Sequence, residues 1–297
     1  MNTITQIEAQ MAHIEAIREQ MFDTTLIQLH PNIKGFQSPE TYGVYKETGG
    51  KALGVVGGTE MLKYEPPKLK LLLDVVTKSL IECCPEVDLT KLEFKQWKEG
   101  AKCGLFLPLK EIKIKSPMKG DITKVNLSIK TGFDGNTAYE MGIEYYRIWC
   151  SNGCGAWDKS QMVKFKNTIL NASKVPMLAS QIIQTIDTTN DFVAKMNELV
   201  KTTITKTQVQ KFLLDNFGYD MAKVDDMNKK SRDRMNAINE AVGIEMANTG
   251  ENLYSLFNGI TRFVTHVRAK DETDRLFNPS ITTQAQRLLS NVVAMTN

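Results

Sequence analysis

Histidine is nearly missing from this chain, with only His13, His30 and His266 among 297 residues. The side chain that most often moves protons near neutral pH is therefore scarce. No Gly-x-Ser-x-Gly elbow, His-x-x-x-His pair or Asp-x-Asp pair is present, so the common signatures of hydrolytic and metal-assisted catalysis are absent. Glu140 and Glu144 are spaced to share a strand face, but two acids so placed are expected to be solvated, and an enzyme is not expected. The five cysteines are an odd number, unlike a secreted disulfide framework. Cys150 and Cys154, with Cys103 as a third candidate, lack the second short-spaced pair that structural zinc uses, so neither metal nor cofactor is expected. Cys83 and Cys84 are expected to be small buried hydrophobes. No apolar run approaches the roughly 20 residues that span a bilayer, and the first 22 residues are unlike a signal peptide. Residence in the cytosol, with no membrane partner, is the expectation.

What is present is an ordinary globular composition, 42% hydrophobic and 24% charged with 19 Gly and 9 Pro, which excludes collagen-like, low-complexity and disordered chains. The formal net charge of +3 is unevenly spread. Residues 91–132 hold ten lysines (Lys91, Lys95, Lys98, Lys102, Lys110, Lys113, Lys115, Lys119, Lys124 and Lys130) against Glu93, Glu99, Glu111 and Asp121. A concentrated positive field attracts polyanions such as nucleic acid. The alternative is that these lysines solvate one sheet face and discourage edge pairing.

Apolar periodicity predicts the order of elements. Thr5 and Glu8 form a capping-box pattern ahead of Ile7, Met11, Ile14, Ile17 and Met21, predicting an amphipathic helix over about 4–22 that docks on its own domain or on a second subunit. Tyr42 to Tyr45 and Ala52 to Val56 flank Gly49-Gly50 as a hairpin. Pro66-Pro67 opens a helix along Leu69, Leu72, Leu73, Val76 and Leu80 that Pro85 stops. From Leu92 to Trp149 the period falls to two, predicting four or five antiparallel strands with one apolar, buried face and one wet, cationic face. Beyond Gly153 the chain reads as helical: from Asp158 through Leu170, from Pro176 to about Val200, from Thr207 to Phe217, and over about 226–247, 251–268 and 281–295. Ala269 to Ser280 is the expected mobile link. The expected class is α+β, with a helix in residues 1–30, a β-rich region with one helix in 31–157, and a helical region packing on the sheet in 158–297. Tyr139, Tyr145, Tyr146, Trp149 and Trp157 crowd the last strand; most are expected in the core, with Tyr146 and Trp97 exposed.

Three segments resemble one family. YRIWCSNG (Tyr146 to Gly153) is similar to the Arg-x-x-Cys-x-Asn-Gly signature of phage and plasmid proteins carrying domain of unknown function 932. YGVYKETGGKALGVVGG resembles that family's early hairpin, and LYSLFNGITRFVTH (Leu253 to His266) its late helix. The agreement in order and spacing covers about residues 40–270. This chain has Arg262 and Thr265 where the family's late helix commonly carries acids, so a role for those acids does not carry over. The resemblance implies mobile elements, a bacterial host cytosol, and replication or recombination rather than metabolism.

Joined to the lysine-rich stretch, it favours a single-stranded-DNA-binding protein that anneals strands or mediates recombination as a homo-oligomer, beside host or phage replication proteins. Lys95, Lys98, Lys102, Lys113, Lys115, Lys124 and Lys130 are the expected phosphate contacts, and Trp97, Tyr146 and Arg147 the supports for bases. Cys150, Asn152 and Gly153 are assigned to structure, the last two closing a strand-to-helix turn by tolerating positive φ. The competing reading is a protein-binding module that inhibits or recruits a host factor; a metal-dependent nuclease is the weaker third.

Overall fold

A computed structural model of the protein describes residues 3–29, 41–57, 64–147, 152–154, 163–167, 189–219 and 227–296. The fold is α+β, with antiparallel sheets in the N-terminal half and helices in the C-terminal half. The chain groups into two compact units, each interleaved in sequence: Met1–Leu109, Asn126–Ile143 and Ser160–Asp187 form the first, and Lys110–Val125, Glu144–Lys159 and Thr188–Asn297 the second.

The first unit opens with α1 (Thr3–Gln20). Because this helix starts at Thr3, Thr5 lies inside its first turn and does not cap it. Ile14, Ile17 and Met21 are buried, whereas Ile7 and Met11 at the other end of the stripe stay exposed. Arg18 pairs with Asp74, Lys70 reaches Asp23 at 2.6 Å, and the His13 ring meets the Leu92 carbonyl at 2.8 Å. Strands β1 (Thr24–Leu29), β2 (Thr41–Lys46) and β3 (Gly54–Gly57) form a small antiparallel sheet in that order. Gly49 and Gly50 turn the β2–β3 hairpin at φ of 90° and 111°, values that need glycine. Strand β1 has no counterpart among the elements expected from periodicity. In α2 (Leu69–Cys83) the predicted stripe Leu69, Leu72, Leu73, Val76 and Leu80 is buried throughout, the packing from which most helix stability in proteins comes.

A six-stranded sheet follows, built from β4 (Glu93–Trp97), β5 (Lys102–Lys113), β6 (Ile122–Gly132), β7 (Tyr139–Arg147), β8 (Asn152–Cys154) and β9 (Val163–Phe165). It runs β4-β5-β6-β7-β8, with β9 also on β7. Strands β5, β6 and β7 each change unit once, after Leu109, Val125 and Ile143. In β6 the expected alternation holds in part: Val125, Leu127 and Ile129 are buried, Lys124 is exposed and Asn126 and Lys130 half-exposed, but Ser128 on the expected wet face is buried. In β5 it does not. Every residue from Lys102 to Leu107 is buried, so this strand has no wet face until Lys110. The helix expected from Asp158 to Leu170 is also corrected, because Val163–Phe165 is a strand paired with β7 through Tyr139↔Phe165 and Met141↔Val163. Val-Lys-Phe has the period of a strand, and a free sheet edge decided the matter. The turn assigned to Asn152-Gly153 is likewise a strand, β8, with Arg147↔Asn152 in register.

In the second unit, α3 (Thr189–Lys201) buries Phe192, Met196 and Leu199. Helix α4 (Lys206–Phe217) starts with a complete Thr205/Gln208 capping box and ends at Gly218. Asn228 caps α5 (Lys229–Thr249), and Asn252 caps α6 (Leu253–Arg262), which continues into a π-helical turn, Phe263–Arg268. Leu253 through Thr261 are all buried, polar residues included. Asn258, Thr261 and Thr265 bond carbonyls one turn back, on Tyr254, Phe257 and Thr261, and so satisfy themselves within the helix. The expected link at Ala269 to Ser280 instead contains α7 (Glu272–Phe277), capped by Asp271, with Leu276 and Phe277 buried. Last comes α8 (Pro279–Val293). Among the described residues no helix is long and apolar enough to cross a membrane.

Candidate nucleic-acid interface

In the first unit, antiparallel pairing sets Trp97 against Lys102, Lys95 against Gly104, and Glu93 against Phe106. Side chains alternate across a pleat, so these six positions share one face. Lys98 Nζ lies 4.2 Å and Lys102 Nζ 5.2 Å from the Trp97 ring centroid. Lys95 and Lys130 each stand 5.7 Å from the centroid of Phe106. Ammonium groups at these distances are attracted to the negative faces of the rings. The bend before β5 is tight: Lys98 and Glu99 have φ of 49° and 59°, a left-handed conformation uncommon for residues with side chains. That bend brings Lys98 over the indole, which remains half-exposed.

These lysines differ in availability. Lys98 is exposed, whereas Lys95 and Lys130 are half-exposed, and Lys95 pairs with Glu93 at 2.9 Å. Lys102 is only 7% exposed and lies 3.7 Å from Asp134. Its pKa is lowered by desolvation, against the opposing charges of Asp134 and Glu140. Lys102 is therefore a buried neighbour of Trp97 and not a phosphate contact, a correction to the sequence expectation. Lys113, Lys115 and Lys124 are exposed, but they belong to the second unit, so the lysine-rich segment is divided between the two units. The Lys115 N–H donates to the side-chain carbonyl of Asn197 at 2.8 Å.

Arg147 is the larger correction. It is 3% exposed, inside the second unit and unable to reach a base. Its Nε donates to Asp121 at 2.6 Å and a terminal nitrogen to the second Asp121 oxygen at 2.8 Å, while the other terminal nitrogen donates to Glu245. Tyr254 and Ser116 hydroxyls complete the shell of Asp121 at 3.1 and 2.5 Å. Desolvation pulls the Arg147 pKa down, but the Asp121 hydrogen bonds and the surrounding charges reverse this and leave it raised. A small cavity beside it, lined in part by Thr123, Tyr145, Phe192 and Asn258, amounts to about 10 Å³, the size of a water molecule. Sequence reasoning missed Asp121, Glu245 and Tyr254 as partners of Arg147, since they stand far from it in the chain. Tyr145 and Tyr139 are core residues, as expected of most rings here. The side chains of Tyr146, Cys83 and Cys154, and the whole of Cys150, Trp149 and Trp157, lie outside the described residues.

Cys103, buried in the first unit, has its thiol pushed up to about 12 from 9.0 by burial. A group raised in the folded state contributes stability in full below its unfolded pKa and loses it as pH climbs through the folded value. Wild type is expected to lose more thermal stability than Cys103→Ala between pH 9 and 12, measured by melting in alkaline buffers; equal losses would contradict this.

The family described as domain of unknown function DUF932 matches residues 104–292. The match begins after Trp97, Lys98 and Lys102 and leaves out the early hairpin, but it contains Asp121, Arg147, Glu245 and the late helix. No curated protein and no solved structure matches the chain. A match over well over half the chain, with the buried arginine cluster inside it, places this protein in the DUF932 family.

Proposed function

We propose that this protein binds single-stranded DNA without a cofactor and acts in strand annealing or recombination in a bacterial cytosol. The observation that carries the reading is Trp97: a half-exposed indole on a sheet face, with Lys98 over its ring and Lys130 beside Phe106 on the same face. An aromatic plane next to ammonium groups is the pairing that single strands use, since any base can stack while phosphates are neutralised. Lys98 and Lys130 are the phosphate contacts of the first unit; Lys113, Lys115 and Lys124, exposed in the second, are phosphate contacts of that unit by itself. Ile7 and Met11, four apart and exposed on α1, supply the apolar stripe for self-assembly into a homo-oligomer.

Fluorescence anisotropy with a labelled oligonucleotide across a salt series tests this. Affinity is expected to fall steeply as salt rises, through counterion release. Trp97→Ala is expected to weaken binding about tenfold, the loss of one stacked base. Binding that ignores both salt and Trp97 would leave the second reading, a protein-binding module. That reading draws on Ile27 and Val55, 49% and 53% exposed, which flank Gly43 in register on the small sheet.

A further inference from the structure

The second unit carries a denser positive cluster than the lysine-rich segment. Helix α5 and the α6–π segment are consecutive and joined by the short stretch Gly250–Asn252. Gly259 lies against Val242 and Ser255 against Thr249, so the two helices pair antiparallel. This brings the start of α5 beside the end of the π turn. Residues 227–234 and 262–270 together hold Lys229, Lys230, Arg232, Arg234, Arg262, Arg268 and Lys270 against Asp233, with Asp271 and Glu272 following directly and Asp271 interacting with Lys270. Arg262 is drawn to Glu245 at 3.9 Å, and Arg232 donates to the Met227 carbonyl at 3.2 Å. The side chains of Lys229, Lys230, Arg234, Arg268 and Lys270 form no ion pair among the described residues, and each is exposed or half-exposed.

We infer that this cationic end of the α5–α6 hairpin is a second contact for a nucleic-acid phosphate backbone, a reading that rests on the proposed DNA binding. Two features of the fold argue for an anion there. Cations in the first turn of a helix oppose its macrodipole, whose N-terminal end is already positive, so Lys229 and Lys230 gain nothing from the helix in those places. Arg234 also presses on Arg268, whose pKa is lowered by desolvation first and by Arg234 next. Packing of the hairpin holds like charges together that free side chains would separate, and an anion between them relieves the repulsion. Five cations spread over two elements suit an extended chain of phosphates better than a single ion. Tyr219, which also acts on Arg268, is buried against Phe217 with ring centroids 5.5 Å apart, and so offers no plane for a base. The contact is therefore with the backbone and independent of sequence.

The test uses the full-length chain, a labelled oligo-dT and anisotropy across a salt series, with Arg234→Glu/Arg268→Glu and Trp97→Ala made separately. The double reversal is expected to weaken binding at least tenfold and to lower the slope of log affinity against log salt by about two. Its melting temperature should stay close to that of wild type, because one solvent-accessible like-charge pair replaces another. Unchanged affinity and slope in the double variant, with Trp97→Ala impaired, would overturn this inference alone. Loss in the double variant with Trp97→Ala intact would support it and remove Trp97 from the interface. A wild type that binds no oligo-dT at low salt would overturn both readings. Polyaspartate of equal charge competing as well as unlabelled oligo-dT would overturn the assignment to nucleic acid.

Discussion

Arg147→Met is expected to destabilise the second unit by about 3–5 kcal/mol, the usual consequence of removing one partner from a buried ion pair. Asp121 and Glu245 side chains are fully buried, and each takes a hydrogen bond from this one guanidinium. Methionine matches the length of the arginine stem but leaves buried Asp121 without a counterion and Glu245 with Arg262 alone, at 3.9 Å. At roughly 2–4 °C per kcal/mol for a domain of this size, the transition of that unit should fall by roughly 10 °C. Arg147→Lys is expected to recover little, since an ammonium cannot give the two parallel bonds that the fork gives Asp121. Arg147→Met with Asp121→Leu and Glu245→Leu should recover most of the loss, because an apolar core of similar volume replaces the charges. Urea denaturation of the three variants decides the point. A single variant as stable as wild type would show that the cluster is not what holds α5 against the strands of this unit.

That cluster is illegible in the sequence for a physical reason. Arg147 stands among aromatic residues on a strand, a pattern equally suited to a binding face, and its burial is decided by Asp121 and Glu245, which are 26 and 98 residues away. Lys102 is misleading in the same way, for alternation places it on a face but cannot reveal that Asp134 lies over it. Local signals fare better where the cause of the structure is itself local. The leucine stripe of α2, the Gly49-Gly50 hairpin and the glycine-terminated α4 are all readable from spacing and turn chemistry. By contrast, β1 and β9 exist because a neighbouring strand offers an edge, and α7 because Leu276 and Phe277 find a core to enter. The charge at the end of the α5–α6 hairpin is hidden from any count along the chain, since its two halves merge only after the helices fold back.

Gly259→Ala is expected to destabilise the second unit by about 3 kcal/mol, the upper part of the range for overpacking. A Cβ at this position would stand 2.6 Å from Val242 Cα and 3.0 Å from its backbone nitrogen. Backbone atoms cannot rotate aside as a side chain does, so α5 and α6 must separate. The sign makes the experiment informative, because helix propensity alone predicts a gain of up to ~1 kcal/mol for glycine to alanine in a helix interior. Gly243, on α5 next to Val242, is exposed, and a Cβ there would meet nothing within 4 Å, so Gly243→Ala should show that gain. Adding Val242→Ala to Gly259→Ala removes the methyl at 2.7 Å but leaves the clash with the Val242 backbone, and is expected to restore little. The substitution also bears on binding, since the same close approach sets Arg234 beside Arg268. Gly259→Ala should therefore weaken oligo-dT binding at temperatures where the chain is still folded, while Gly243→Ala leaves it unchanged. Equal stability of the two alanine variants would mean that the hairpin is not closed by the packing of Gly259 on Val242.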